Sequence, residues 1–205
     1  MTRMTRTGPV PQVPPEPLGR RERKKAATRK ALADTALRLF LEKGFDQVKV
    51  AEIAEAADTA LTTLFAHFPG GKEALVLEDG GEREAALTAA VRERPEGLGI
   101  LDALRDFLAG RGTFDPDPTP EFRLKTDLVV ATPALRAYAR AMWTGCEEVL
   151  AQVIAEEAGR DPADLSLRIL ARYVLEIPDL AGLEADPRQA LDTAFAHLRR
   201  GWPEL

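Results

Sequence analysis

The feature that most constrains this chain is a pair of short apolar stripes set three residues apart. In VAEIAEAA, Val50, Ile53, Ala54 and Ala57 fall at offsets 0, 3, 4 and 7, and in LTTLFAHF the residues Leu61, Leu64, Phe65 and Phe68 repeat those offsets. Each set is the inner stripe of a short amphipathic helix. The link Asp58, Thr59, Ala60 is too short for antiparallel stacking and predicts two helices crossing at roughly 90 to 120°, a helix-turn-helix. Small Ala54 and Ala57 permit close approach, and Asp58 tolerates a left-handed turn backbone. Burying both stripes leaves Thr62, Thr63, Ala66 and His67 facing outward. That face is small and nearly free of charge, as befits a helix that lies in a major groove about 12 Å wide.

Charge supports the same end of the chain. The net charge of −5 argues by itself against nucleic acid, but residues 1–72 hold 13 Lys and Arg against 8 Asp and Glu, and the rest holds 15 against 25. A basic third joined to an acidic remainder steers one end toward a polyanion and turns the other away. Residues 1–19 carry five prolines, Pro9, Pro11, Pro14, Pro15 and Pro17, without apolar periodicity, and read as a disordered arm. RRERKKAATRK follows, seven cations in eleven residues, with Arg20 and Arg21 at its start placed to lie along phosphates. It leads into a helix over 22–43, whose inner face is Leu32, Ala36, Leu37, Phe40 and Leu41 and whose stop is Gly44. The expected division is an arm over 1–19, a helix-turn-helix DNA-binding domain over 20–72 and a larger helical domain over 73–205.

Residues 22–77 resemble the DNA-binding domain of the TetR family of bacterial transcriptional regulators. The likeness rests on ALRLFLEKGFDQVKVAEIAEAAD followed by TTLFAHFPGGKEAL. Within them stand Gly44 with Phe45, the segment Ile53, Ala54, Ala57, then Thr63, Leu64, Phe65, His67 and Phe68, and finally Lys72, Glu73 and Leu75 at the start of a fourth helix. The resemblance implies an all-α protein that binds a double-stranded DNA operator through Thr63 and His67 on phosphates, with Lys72 anchoring another. It also implies a homodimer and a small-molecule effector, with residues 73–205 as the effector-binding and dimerisation domain, and its members tend to be repressors. Several positions depart from the family's pattern. Phe65 lacks the usual Tyr hydroxyl, Lys49 stands where a capping Thr or Ser is usual, Ala60 replaces a second cap, Asp58 the turn Gly, and Thr59 a buried Val. Lys49 can instead offer a point charge to a phosphate. The third helix has no Arg, Asn or Gln, so base readout rests on Thr62 and on contact of Leu61 or Ala66 with thymine methyls.

Downstream, three capping residues precede a proline: Thr132 and Pro133, Asp161 and Pro162, Asp186 and Pro187. Between the first two, Leu135, Tyr138, Ala139, Met142, Cys146, Val149, Leu150 and Val153 keep helical spacing and predict one long central helix. Segments 97–109 and 120–131 add shorter helices around it. Phe107, Phe122, Arg123, Met142, Trp143 and Cys146 are the candidate lining of a cavity for a largely apolar effector, with plain core as the alternative; an inward Arg123 would need an anionic or carbonyl partner. The stripes Leu165, Ile169, Leu170, Val174, Ile177 and Ala190, Leu191, Ala194, Phe195, Leu198 are either intramolecular core or, given the need for a second reading head, the dimer contact, with Leu170, Val174, Leu191, Ala194, Phe195 and Leu198 as its centre. Gly80 and Gly81 interrupt the helix begun near Lys72 and suggest a hinge; close packing is the other explanation.

Other classes find little support. Cys146 and His197 could pair in principle, but there is no nucleophile elbow, no phosphate loop and no clustered metal ligands, so neither catalysis nor a metal or cofactor is expected. A single cysteine excludes an internal disulfide and suits a reducing cytoplasm. No run approaches a membrane span, and the start has no apolar signal core. A DNA-binding protein of the same fold without an effector remains the competing reading.

Overall fold

A computed structural model describes residues 19–77 and 80–205. The proline-rich arm, apart from Gly19, lies outside the described residues. Ten α-helices follow in order: α1 Arg20–Lys43, α2 Val50–Ala56, α3 Leu61–His67, α4 Gly80–Arg92, α5 Ile100–Ala109, α6 Pro120–Ala131, α7 Pro133–Thr144, α8 Glu147–Ala158, α9 Leu165–Ala181 and α10 Pro187–Gly201. Single 3₁₀ turns sit at Glu73–Leu75 and Gly112–Phe114. Among the described residues there is no strand, and no helix is long and apolar enough to cross a membrane.

Two hydrophobic clusters organise these helices. The first holds Leu32, Ala36, Leu39 and Phe40 of α1, Ile53 and Ala54 of α2, Leu64 of α3, and Phe45, Val48, Phe68, Leu75 and Val76 from the connections. Gly44 ends α1 with φ 86°, a value that suits a residue without Cβ. Phe45 can then fold back on Phe40, with ring centroids 4.9 Å apart. Leu41, expected inside, is exposed, and Leu39 takes its place in the cluster. The cluster is completed from outside: Leu135 of α7 is fully buried in it, and Leu128 and Val129 of α6 pack against it.

The second cluster joins α4, α5, α8, α9 and α10, with Leu87, Leu104, Leu150, Ile154, Leu170 and Phe195 all fully buried. The expected long central helix is two helices. Gly145 and Cys146 separate α7 from α8 while staying near right-handed helical angles, and the Cys146 N–H bonds Trp143 O rather than a carbonyl four residues back. Because the dihedrals barely leave the helical well, the apolar spacing runs through the break. Both pieces pack on α9.

The proline-associated caps divide. Asp186 accepts from the Gln189 N–H at 3.0 Å and caps α10 as expected. Thr132 precedes Pro133 without any side-chain cap bond. Asp161 starts no helix: it accepts from Ala163 N–H in a turn, and Asp164 caps α9 through Ser166 N–H, both at 2.8 Å. Thr119, ahead of Pro120, caps α6 through Phe122 N–H at 3.2 Å. Lys72 opens a 3₁₀ turn rather than the fourth helix, and Gly80 and Gly81 open α4 instead of interrupting it.

Truncating Leu135 to Ala removes a side chain buried in a cluster that it joins from another unit. The expected loss is about 2–5 kcal/mol of stability. Hydrogen exchange should quicken in α1 and around Leu75 as well as in α7; a change confined to α7 would contradict the shared core.

Candidate nucleic-acid interface and internal cavity

α2 and α3 form the expected helix-turn-helix. Asp58 occupies the left-handed region at φ 49°, where Asp is among the tolerated residues. The Thr59 N–H closes the turn on Ala54 O at 2.9 Å, and the Thr59 hydroxyl donates to Ala57 O at 3.0 Å. Neither Lys49 nor Ala60 makes a side-chain cap bond. Each missing cap costs about 0.5–2 kcal/mol.

The seven residues of α3 are rotated from the orientation the sequence suggests. Leu64 and Phe68 anchor the helix in the core, whereas Leu61 and Phe65 are 42% and 44% exposed. Its outward surface comprises Leu61, Thr62, Phe65 and Ala66, while Thr63 and His67 are half-buried along one edge. The cause lies in α1. Arg29 donates to the backbone carbonyl of His67 and lays its guanidinium 4.3 Å from the centroid of the Phe68 ring, drawing that edge inward. A cation at the carbonyl end of a helix also meets the negative end of its dipole. The His67 Nδ1 is sealed without a hydrogen-bond partner among the described residues. Burial first, then Lys25 and Arg29, hold its imidazole below the ordinary histidine value.

Arg20, Arg21 and Lys49 are exposed on the same unit. Lys72 is half-buried, its ammonium 4.2 Å from the Phe45 ring centroid and 5.7 Å from that of Phe40, which restricts where its charge can point. Sequence reading passed over Lys25 and Arg29 as members of a cationic run. Only a three-dimensional register shows that these two reach the recognition helix.

The C-terminal unit contains a cavity of about 470 Å³ between α4, α6, α7 and the end of α9. α6 turns Phe122, Lys125, Thr126, Val129 and Val130 into it, an i, i+3, i+4, i+7, i+8 face that meets empty space instead of packed core. Of the candidate lining, Phe122 and Trp143 are there. Phe107, Arg123, Met142 and Cys146 do not line it. Arg123 points to solvent. Cys146 is core: its thiol donates to Met142 O at 3.4 Å and is pushed up in pKa by burial. Phe107 stands behind Trp143, ring centroids 6.5 Å apart and nearly perpendicular. Arg83, Arg111 and Arg136 line the cavity unannounced, because amphipathic spacing assigns arginines to solvent.

The proposed dimer centre is internal. Leu170, Val174, Leu191, Phe195 and Leu198 are buried in the chain's own core, with Ala194 packed beside them. Leu165 and Ile169 are exposed instead, as are Tyr173 and Leu180 on the same helix.

A basic helix-turn-helix head with an uncovered third helix, built onto a larger helical unit that encloses a cavity, defines a helix-turn-helix transcriptional regulator. Residues 32–78 match the family model described as bacterial regulatory proteins, tetR family, and residues 98–203 match that of the MftR C-terminal domain. The chain belongs to the TetR family. It is 32% identical to the HTH-type transcriptional regulator TcmR of Streptomyces glaucescens, across 98% of this chain and 93% of TcmR. It is 31% identical to MftR of Mycobacterium tuberculosis, named as a mycofactocin biosynthesis transcriptional regulator, across 76% of this chain and 78% of MftR. Salmonella enterica GusR shares the fold with a TM-score of 0.53 at 22% identity, covering 85% of this chain and 94% of GusR. NalD of Pseudomonas aeruginosa, the secondary repressor of the MexAB-OprM multidrug efflux pump, gives 0.52 at 20% identity, covering 87% and 97%.

Two outcomes are expected of this interface. His67→Ala should weaken binding to all DNA sequences alike, whereas Thr62→Ala should alter the ranking among operator variants; a competition binding assay separates them. Acid stability supplies the second. The folded state favours neutral His67, while the unfolded chain protonates near about 6.5. The stability that follows is complete above that value and is lost as pH falls from it through the depressed folded value. Denaturant unfolding should show His67→Gln losing less stability than the parent on going from pH about 7.5 to about 5.5.

Proposed function

We propose that this regulator is a repressor that binds a near-palindromic operator as a two-fold dimer and leaves it when a small molecule fills the cavity. The observation that carries the reading is the double position of Leu77 and Val129. Both line the cavity and both pack against the core of the DNA-reading head. An occupant that displaces either side chain must therefore also disturb the packing around Leu75, Val76 and Leu135. A coupling of about 1–3 kcal/mol, or 5- to 150-fold in operator affinity, is the usual size of such an effect. The cavity favours this over a DNA-binding protein without an effector.

Gly80 and Gly81 supply the hinge in this scheme. A Cβ added to Gly81 would meet open space, so close helix packing does not account for that glycine. For the second subunit, α9 offers Leu165, Ile169, Tyr173 and Leu180, all exposed and within one side of the helix. Two-fold pairing would set the recognition helices roughly 34 Å or a multiple apart. TcmR and MftR are named as transcriptional regulators and NalD as a repressor, which supports the assignment.

Selection of bound fragments from genomic DNA should yield a near-palindromic site whose affinity falls steeply, about 10³-fold or more for six phosphate contacts, between low and moderate salt. Indifference to every fragment would overturn the reading. Ile169→Asp should leave the fold intact, shift sedimentation toward monomer and weaken operator binding. Replacing both glycines with Ala should keep operator binding and blunt its release by the effector; unchanged release removes the hinge.

A further inference from the structure

The recognition helix turns an apolar surface outward. Among the described residues of the DNA-reading head, three large apolar side chains are exposed: Leu41, Leu61 and Phe65. Leu41 borders a groove shared with Glu121 of α6. The other two lie one turn apart on the seven residues of α3, with Thr62 and Ala66 forming a second exposed row beside them. α1 holds this placement, since Arg29 bonds the His67 carbonyl and covers the Phe68 ring. Leu64 and Phe68 are buried, so a roll of α3 that hid Phe65 would have to expose one of them.

The chemistry of that surface narrows what can cover it. Phosphates are answered on the same unit by the exposed cations Arg20, Arg21, Lys25 and Lys49. The side chains of Leu61, Phe65 and Ala66 have no donor or acceptor for a base edge, and Thr62 has one hydroxyl. Among the base edges of the major groove the one apolar group is the 5-methyl of thymine; a cytosine in its place presents a bare C5 and an amino donor. Covering that donor with Leu or Phe leaves it without a partner. The competing base contacts on this head are Glu55 and Asp58, exposed on α2 and at the turn. A carboxylate accepts from the cytosine amino group and is indifferent to a methyl on C5.

We propose that Phe65, with Leu61 beside it, is the specificity-determining residue of the recognition helix, and that it reads the 5-methyl group of pyrimidines in the major groove. This rests on the operator-binding reading. Each half-site then carries thymine where α3 meets the bases. The methyl, not the rest of thymine, is what Phe65 selects, so 5-methylcytosine at that position substitutes for thymine and methylation of a cytosine there strengthens binding.

The test uses the full-length protein and a duplex recovered by the genomic selection, remade with deoxyuridine for thymine so that the methyl alone is removed. Deoxyuridine should weaken binding about fourfold for each contacted methyl, the worth of one buried carbon group. Cytosine at that position should weaken it likewise, and 5-methylcytosine should recover about fourfold. Phe65→Ala should bind the thymine and deoxyuridine duplexes alike, while holding a random-sequence duplex, where phosphate contacts supply the affinity, as tightly as the parent does. Should Phe65→Ala fail to fold, Leu61→Ala carries the same comparison and should lower the preference for thymine. Equal binding of both duplexes by the parent, half-sites without thymine, or a thymine preference undiminished in the folded variant would overturn the methyl reading and leave operator binding in place. Recovery of no fragment would overturn the proposal together with operator binding.

Discussion

Leu135 is the contact on which the arrangement depends. The helix-turn-helix head is too small to enclose its own apolar surface, and a side chain from α7 fills the gap from the neighbouring unit. Burial of one leucine and the flanking Leu128 and Val129 therefore fixes where the reading head sits relative to the helices around the cavity. The same region is crowded elsewhere: a Cβ on Gly70 would approach the Tyr138 hydroxyl to 2.5 Å, so the loop after α3 lies directly against α7. Sterically, the head and the α6–α7 corner are one packing problem. Anything that reshapes the corner is felt at the turn before α4.

Much of this was legible from residue order. Offsets of 3, 4 and 7 located α2 and α3, Gly44 ended α1, and Asp58 took the left-handed backbone its short polar side chain permits. Those signals are local, set by sterics and backbone hydrogen bonding within a few residues. What failed was register about the helix axis. Leu61 and Phe65 satisfy an apolar pattern but lie outward, because Arg29, more than thirty residues away in sequence, pulls the opposite edge inward. A seven-residue helix has too few apolar positions for spacing alone to choose between neighbouring orientations. The α7–α8 break was hidden for a related reason: Gly145 and Cys146 leave the periodicity intact while the Cys146 N–H turns to a carbonyl three residues back.

The cavity was the least legible part. Core and cavity wall use the same residue types at the same spacing, and only the gap between the helices distinguishes them. Met142 on α7 and Cys146 at the joint before α8 follow the helical pattern yet do not line the cavity, while Arg83 and Arg111 break the expectation that arginines face water. Their long apolar stems and planar heads let them lie on Phe107 and Trp143 and still reach the lumen. The chain's negative total charge thus conceals a locally positive interior.

Cys146 carries a last consequence. It is the sole thiol of the chain, 1% exposed at the joint between α7 and α8, and burial keeps it protonated and unreactive. Alkylating reagents can reach it only when that joint opens, so the sulfur serves as a built-in clock whose labelling rate records how often the two helices part.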